Sequence, residues 1–137
     1  MPKIKRVMTP FPHSIEGSAS PADAQAMMKE HGIRHLPVCE GRNVIGILSE
    51  RDTRIALRVD EDAHAVSVAD ICTRKVYTVE LDAPLDEVVA HMAEQQIGSA
   101  VIMRGDRLAG ILTTTDVCDL LARVLREHYV STDDVVA

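Results

Sequence analysis

The chain has 137 residues, 46% hydrophobic and 26% charged, with 15 Lys and Arg against 21 Asp and Glu for a net charge of −6. That is the balance of a folded globular protein, and its acidity excludes a broad electrostatic grip on nucleic acid or an anionic membrane. There is no Trp, and the only Phe and Tyr residues are Phe11, Tyr77 and Tyr129, which excludes a base-stacking platform for single-stranded nucleic acid.

The basic start, Met1–Arg6, runs into Pro10 and Pro12, which spoil a signal-peptide core. No apolar run reaches the roughly 18 residues of a membrane span. An extended piece is predicted at Ser14-Ile15, then a helix opening near Pro21, since proline suits the first turn. Ala24, Met27, Met28 and His31 share its apolar face, where His31 reads as a core-edge histidine, and Gly32 stops it. Strands at Leu36–Cys39 and Val44–Leu48 flank a turn at Glu40-Gly41, and a closing helix begins at Ser49. Asp60–Ala65 is polar and reads as a connector.

The same elements then return. Thr78-Val79 is extended, a helix opens near Pro84, and Leu85, Val88, Val89 and Met92 form its apolar face. Strands at Ala100–Met103 and Leu108–Leu112 flank Arg104-Gly105, and a closing helix starts at Thr113. Its stripe is Val117, Leu120, Leu121, Val124 and Leu125, open to a core role or to self-association. Ser131–Asp134 carries no signal and is expected to fray. Cys39, Cys72 and Cys118 are odd in number, far apart and without a Cys-x-x-Cys pair. They read as free thiols of a reducing cytoplasm.

Sliding the chain on itself by 64 residues exposes the repeat. Thr9 falls on Thr73, Met28 on Met92, Ile33 on Ile97 and Gly41 on Gly105. Gly46-Ile47-Leu48 falls on Gly110-Ile111-Leu112, and Asp52 on Asp116. The expectation is an α+β fold of two tandem β-α-β-β-α units, 4–58 and 68–122, joined by a connector at 59–67 and followed by a helix end and tail at 123–137. A unit this small buries little surface alone, so the two should pack together.

Ser49-Glu50-Arg51-Asp52 and Thr113-Thr114-Thr115-Asp116 begin the closing helices and admit two readings. One is a capping box with Asp in place of the usual Glu or Gln. The other is a ligand site, where a carboxylate accepts from a sugar diol beside a helix N-terminus that attracts phosphate. The six histidines form no metal set, because Gly32 breaks the helix that would align His31 with His35. There is no phosphate-binding glycine loop, dinucleotide fingerprint or nucleophile elbow, and so no catalytic residue to name.

Val7-Met8-Thr9, Gly32–Val38 and Val44–Asp52, with Ile71-Cys72-Thr73, Ile97–Ile102 and Leu108–Asp116, resemble the motifs of the CBS domain. Two in tandem resemble a Bateman module, which implies units packed about a pseudo-two-fold axis with two related clefts. The resemblance implies a regulatory protein, not an enzyme, sensing an adenosine-containing ligand (AMP, ADP, ATP, NAD or S-adenosylmethionine), with no catalytic cofactor. Carried over, a first site would use Ser14, Ile33, Arg34, His35, Leu36, Pro37, Ser49, Arg51 and Asp52. A second would use Thr78, Ile97, Gly98, Ser99, Ala100, Val101, Thr113, Thr115 and Asp116. In both, the aspartate would hold the ribose hydroxyls.

The basic residues at 34, 35 and 51 lead to the expectation that the first site prefers more phosphate charge. The second departs from the pattern, with Gln96 for a glycine and Val101 for a proline. The resemblance further implies a homodimer, with neither nucleic acid polymer nor membrane as partner. Two alternatives stand beside this reading: an interaction or dimerisation scaffold with degenerate clefts, and a metal-binding stress protein. Which ligand, and which site, stay open.

Overall fold

The computed structural model describes residues 1–59 and 66–136, with side chains described up to Tyr129. The first repeat contributes a 3-10 turn (Ile4–Arg6), β1 (Thr9–Pro10), β2 (Ile15–Glu16), α1 (Pro21–His31), β3 (His35–Glu40), β4 (Asn43–Ser49) and α2 (Glu50–Val59). The second contributes α3 (Val68–Ile71), β5 (Thr78–Glu80), α4 (Leu85–Gln95), β6 (Ser99–Arg104), β7 (Arg107–Thr113) and α5 (Thr114–Val136). The β-α-β-β-α order therefore occurs twice in an α+β chain. Most of the connector, 60–65, lies outside the described residues.

Local chemistry sets the element ends. Ser20 caps α1 by accepting the Asp23 backbone N–H at 3.0 Å, and Pro21 fills the first helical position. Gly32 ends the helix in the left-handed conformation, φ 63°. Gly41 and Gly105 turn the hairpins at φ 60° and 63°. Pro37 is tolerated inside β3 because β2 pairs with that strand only from Val38 onward. The backbone of α5 runs on to Val136, so Ser131–Asp134 is helical rather than frayed. No glycine or proline interrupts the chain after Gly110.

One sheet has the order β2-β3-β4 and the other β1-β7-β6-β5. In each, a hairpin pairs antiparallel and the strand just before the repeat's first long helix, β2 or β5, joins it in parallel, Ile15 opposite Val38 and Val79 opposite Ile102. Strand alternation sends Leu36, Val38 and Leu48 into one core with Ile15, Ala24, Met28 and Val68. Ala100, Ile102 and Leu112 enter the other with Ile4, Leu85, Val88 and Met92.

Those two lists reveal an exchange. Ile4 opens the first repeat but is fully buried in the core of the second, and Val68 opens the second repeat but is fully buried in the core of the first. β1 pairs with β7, Thr9 opposite Ile111, while Thr73 pairs with Ile47 of β4. Each leading segment thus completes its neighbour's sheet. Burying one such aliphatic side chain stabilises by about 1.5–3 kcal/mol, so the exchange ties the units together.

Candidate functional site

Two clefts open where the exchanged segments pass the starts of the closing helices. Cleft I, about 720 Å³, is lined by 9–13, 32–35, Ile111 and 113–116. Cleft II, about 470 Å³, is lined by His35, Ile47, Ser49, Arg51, Asp52, Thr73, 75–77 and 96–99. Apart from His35, every lining residue of cleft II has its counterpart 64 positions away in the lining of cleft I. The clefts are two copies of one site.

Their composition corrects the grouping expected from sequence. Ile33 and Arg34 do not share a cleft with Ser49, Arg51 and Asp52; with His35 they line cleft I beside Thr113, Thr115 and Asp116. Ile97, Gly98 and Ser99 line cleft II with Ser49, Arg51 and Asp52. Each cleft is built from both repeats, because the leading segments cross from one unit to the other. Arg34 and Arg51 consequently separate, so the expected trio of Arg34, His35 and Arg51 is not gathered in one site.

Six of the proposed residues line neither cleft. Leu36, Pro37, Ala100 and Val101 are buried, with Leu36 and Ala100 in the two cores. Ser14 and Thr78 are exposed on the strand ends that precede α1 and α4. Sequence reasoning missed Thr9–His13 in cleft I and Thr73 with Lys75–Tyr77 in cleft II. The identity of Thr9 with Thr73 under the 64-residue shift was the available signal.

The two aspartates perform the capping role in full. In cleft I, the Thr113 backbone N–H donates to Asp116 Oδ2 at 2.8 Å and the Asp116 N–H returns to Thr113 Oγ1 at 3.3 Å. In cleft II, the Ser49 N–H donates to Asp52 Oδ2 at 3.3 Å and the Asp52 N–H to Ser49 Oγ at 3.1 Å. Both are capping boxes. The second carboxylate oxygen differs: Asp116 Oδ1 accepts the Thr9 hydroxyl at 3.3 Å, whereas among the described residues no hydrogen bond reaches Asp52 Oδ1.

His35 lines both clefts. Its ring lies against Gly98, where an added Cβ would stand 3.5 Å from Nε2. Burial lowers its pKa, against the pull of the Asp52 carboxylate and with the push of Arg34. His31 is exposed rather than at the core edge, and its ring stacks on His13 with centroids 3.7 Å apart. Burial raises the Cys39 and Cys72 thiols. Among the described residues no three His, Cys, Asp or Glu side chains come together to hold a metal, and no helix is long and apolar enough to cross a membrane.

Fold and clefts together define a tandem β-α-β-β-α pair with two symmetry-related crevices. The chain belongs to the CBS domain family, which matches at residues 4–58 and 68–123. It is 31% identical over 107 residues to hypoxic response protein 1 of Mycobacterium tuberculosis (strain H37Rv), covering 77% of this chain and 72% of the relative. It is 33% identical over 116 residues to inosine-5'-monophosphate dehydrogenase of Korarchaeum cryptofilum, covering 83% of this chain but 22% of that enzyme. Among solved structures, the CBS domain pair of protein MJ0100, in complex with 5'-methylthioadenosine and S-adenosyl-L-methionine, aligns with a TM-score of 0.79 and 26% identity. That alignment covers 89% of this chain and 97% of the other.

Proposed function

We propose that this CBS pair is a regulatory module, without catalytic activity of its own, that binds an adenosine-containing ligand in the clefts between its units. The observation that carries the reading is the division of labour within each aspartate. One oxygen caps a helix, which leaves the other for a ribose diol: Oδ1 of Asp52 accepts no hydrogen bond among the described residues, and Oδ1 of Asp116 accepts only a long one from Thr9. Capping and ligand binding are therefore compatible uses of one side chain. Ile33 and Ile111 in cleft I, and Ile47, Val76 and Ile97 in cleft II, supply apolar walls for an adenine ring. The ligands of the MJ0100 pair are both adenosine derivatives, which supports the class without naming the ligand here.

A homodimer belongs to the same proposal. Leu121, Val124 and Leu125 form one helical stripe of α5 and are 53%, 38% and 47% exposed, which favours self-association over the core role also open from sequence. The three free cysteines suit a reducing, cytoplasmic setting.

Calorimetric titration of AMP, ADP, ATP, NAD and S-adenosylmethionine into nucleotide-free protein tests the reading, with Asp52→Ala and Asp116→Ala alongside. Saturable binding of at least one ligand is expected. At least one variant should lose affinity about tenfold or more while each loses around 1 kcal/mol of stability with its cap. Silence from all five ligands, with both variants merely less stable, leaves the aspartates as caps and the pair as a scaffold.

A further inference from the structure

The clefts occupy equivalent positions yet differ in charge and in their aromatic side chains, Phe11 in cleft I and Tyr77, which packs on His91, in cleft II. Phe11 of cleft I stands where cleft II has Lys75, Thr115 where it has Arg51, and Arg34 where it has Gly98. The histidines aside, cleft II sets Arg51 and Lys75 against Asp52, an excess of positive charge, whereas cleft I sets Arg34 against Asp116 and is balanced. Among the described residues neither Arg51 nor Lys75 takes part in an ion pair. Both remain available to an anion.

Phe11 points to a different ligand. It is 89% exposed at the rim of cleft I and takes the left-handed conformation, φ 47°, which a non-glycine residue rarely adopts. Pro10 and Pro12 stiffen the chain on either side, and its N–H is anchored on the Ala109 carbonyl at 3.2 Å. A large apolar ring carried on a fixed backbone and exposed to water beside a cavity gains by covering a flat, uncharged group.

We propose that the two clefts take chemically different adenosine ligands: cleft II a phosphorylated one, its phosphates held by Arg51 and Lys75, and cleft I one that carries no phosphate, covered by the Phe11 ring. This rests on the adenosine reading above and divides it between two sites.

The test uses ATP and 5'-methylthioadenosine as calorimetric probes of the full chain, against wild type, Arg51→Ala, Lys75→Ala, Phe11→Ala and Arg34→Ala. All four side chains are exposed, so the variants should fold, which circular dichroism checks. Lys75→Ala and Arg51→Ala should each weaken ATP by about tenfold or more and leave 5'-methylthioadenosine within about twofold. Phe11→Ala should weaken 5'-methylthioadenosine by about fivefold or more and spare ATP. Protein saturated with ATP should still bind 5'-methylthioadenosine, and added salt should weaken ATP alone. Equal losses of both probes, or ATP affinity that follows Arg34→Ala instead, overturns the division. If wild type binds both probes and none of the substitutions separates them, the division falls and the adenosine reading stands. If it binds neither, both fall.

Discussion

The His35 ring is half-buried between the clefts, and taking it out of water disfavours its charged form. Asp52 opposes this and Arg34 reinforces it, with burial the largest of the three effects. Because the folded-state pKa lies below the ordinary 6.5, the unfolded chain takes up the proton first on acidification. His35 therefore contributes stability that is fully present above that value and is lost as pH falls through the folded-state pKa. Thermal unfolding followed from neutral to acidic pH should show a fall in Tm that is shallower in His35→Gln, and equal slopes would remove His35 from that role. Gln96 ends α4 at φ 54°, where α1 uses Gly32 at φ 63°. Gln96→Gly should raise stability by a fraction of a kcal/mol up to about 1 kcal/mol, as left-handed strain outweighs the greater unfolded-state entropy of glycine. Denaturant titration measures that gain, and a net loss would show that the Gln96 side chain contributes more than its backbone costs.

At the scale of elements, the repeated Gly-Ile-Leu of β4 and β7 has a packing cause. A Cβ at Gly110 would collide with the Met8 side chain and stand 3.0 Å from the Thr9 carbonyl. At Gly46 it would stand 2.5 Å from Cys72 Sγ and 2.9 Å from the Thr73 carbonyl. The glycines are the seats of the exchanged segments. Gly46→Ala and Gly110→Ala should each cost about 1–3 kcal/mol, with hydrogen exchange rising first in the displaced segment and its partner strand. Uniform exchange along the chain would speak against local displacement. The glycines, hairpin turns and helix starts were legible because a shift of 64 residues aligns Gly41 with Gly105, Gly46 with Gly110 and Asp52 with Asp116. The exchange was not legible, since Ile4 and Val68 are equivalent in that alignment and self-comparison cannot say on which copy each packs. The crossed clefts follow from the exchange and were hidden with it. The family motif places Leu36 and Ala100 in the sites, but strand alternation turns them into the cores.

For the whole molecule, the closing helices carry much of the exposed apolar surface among the described residues: Ile55 and Val59 on α2, and Leu121, Val124 and Leu125 on α5. If that surface joins two copies, Leu121→Glu with Leu125→Glu should convert a dimer into a monomer in light scattering after size exclusion, with the circular dichroism spectrum unchanged. A wild-type chain that is monomeric at high micromolar concentration would dispose of the homodimer. The exchange of leading segments also bears on how the chain comes into being. During synthesis Ile4 leaves the ribosome long before Leu112, the core neighbour it requires, and the first repeat stays incomplete until Val68 has emerged. Each half thus needs the other's leading segment, and Ile4 stays uncovered until the second repeat is made. Cleft I, lined from Thr9 to Asp116, appears only at the end of that wait, and a product truncated before the second repeat would have neither cleft complete.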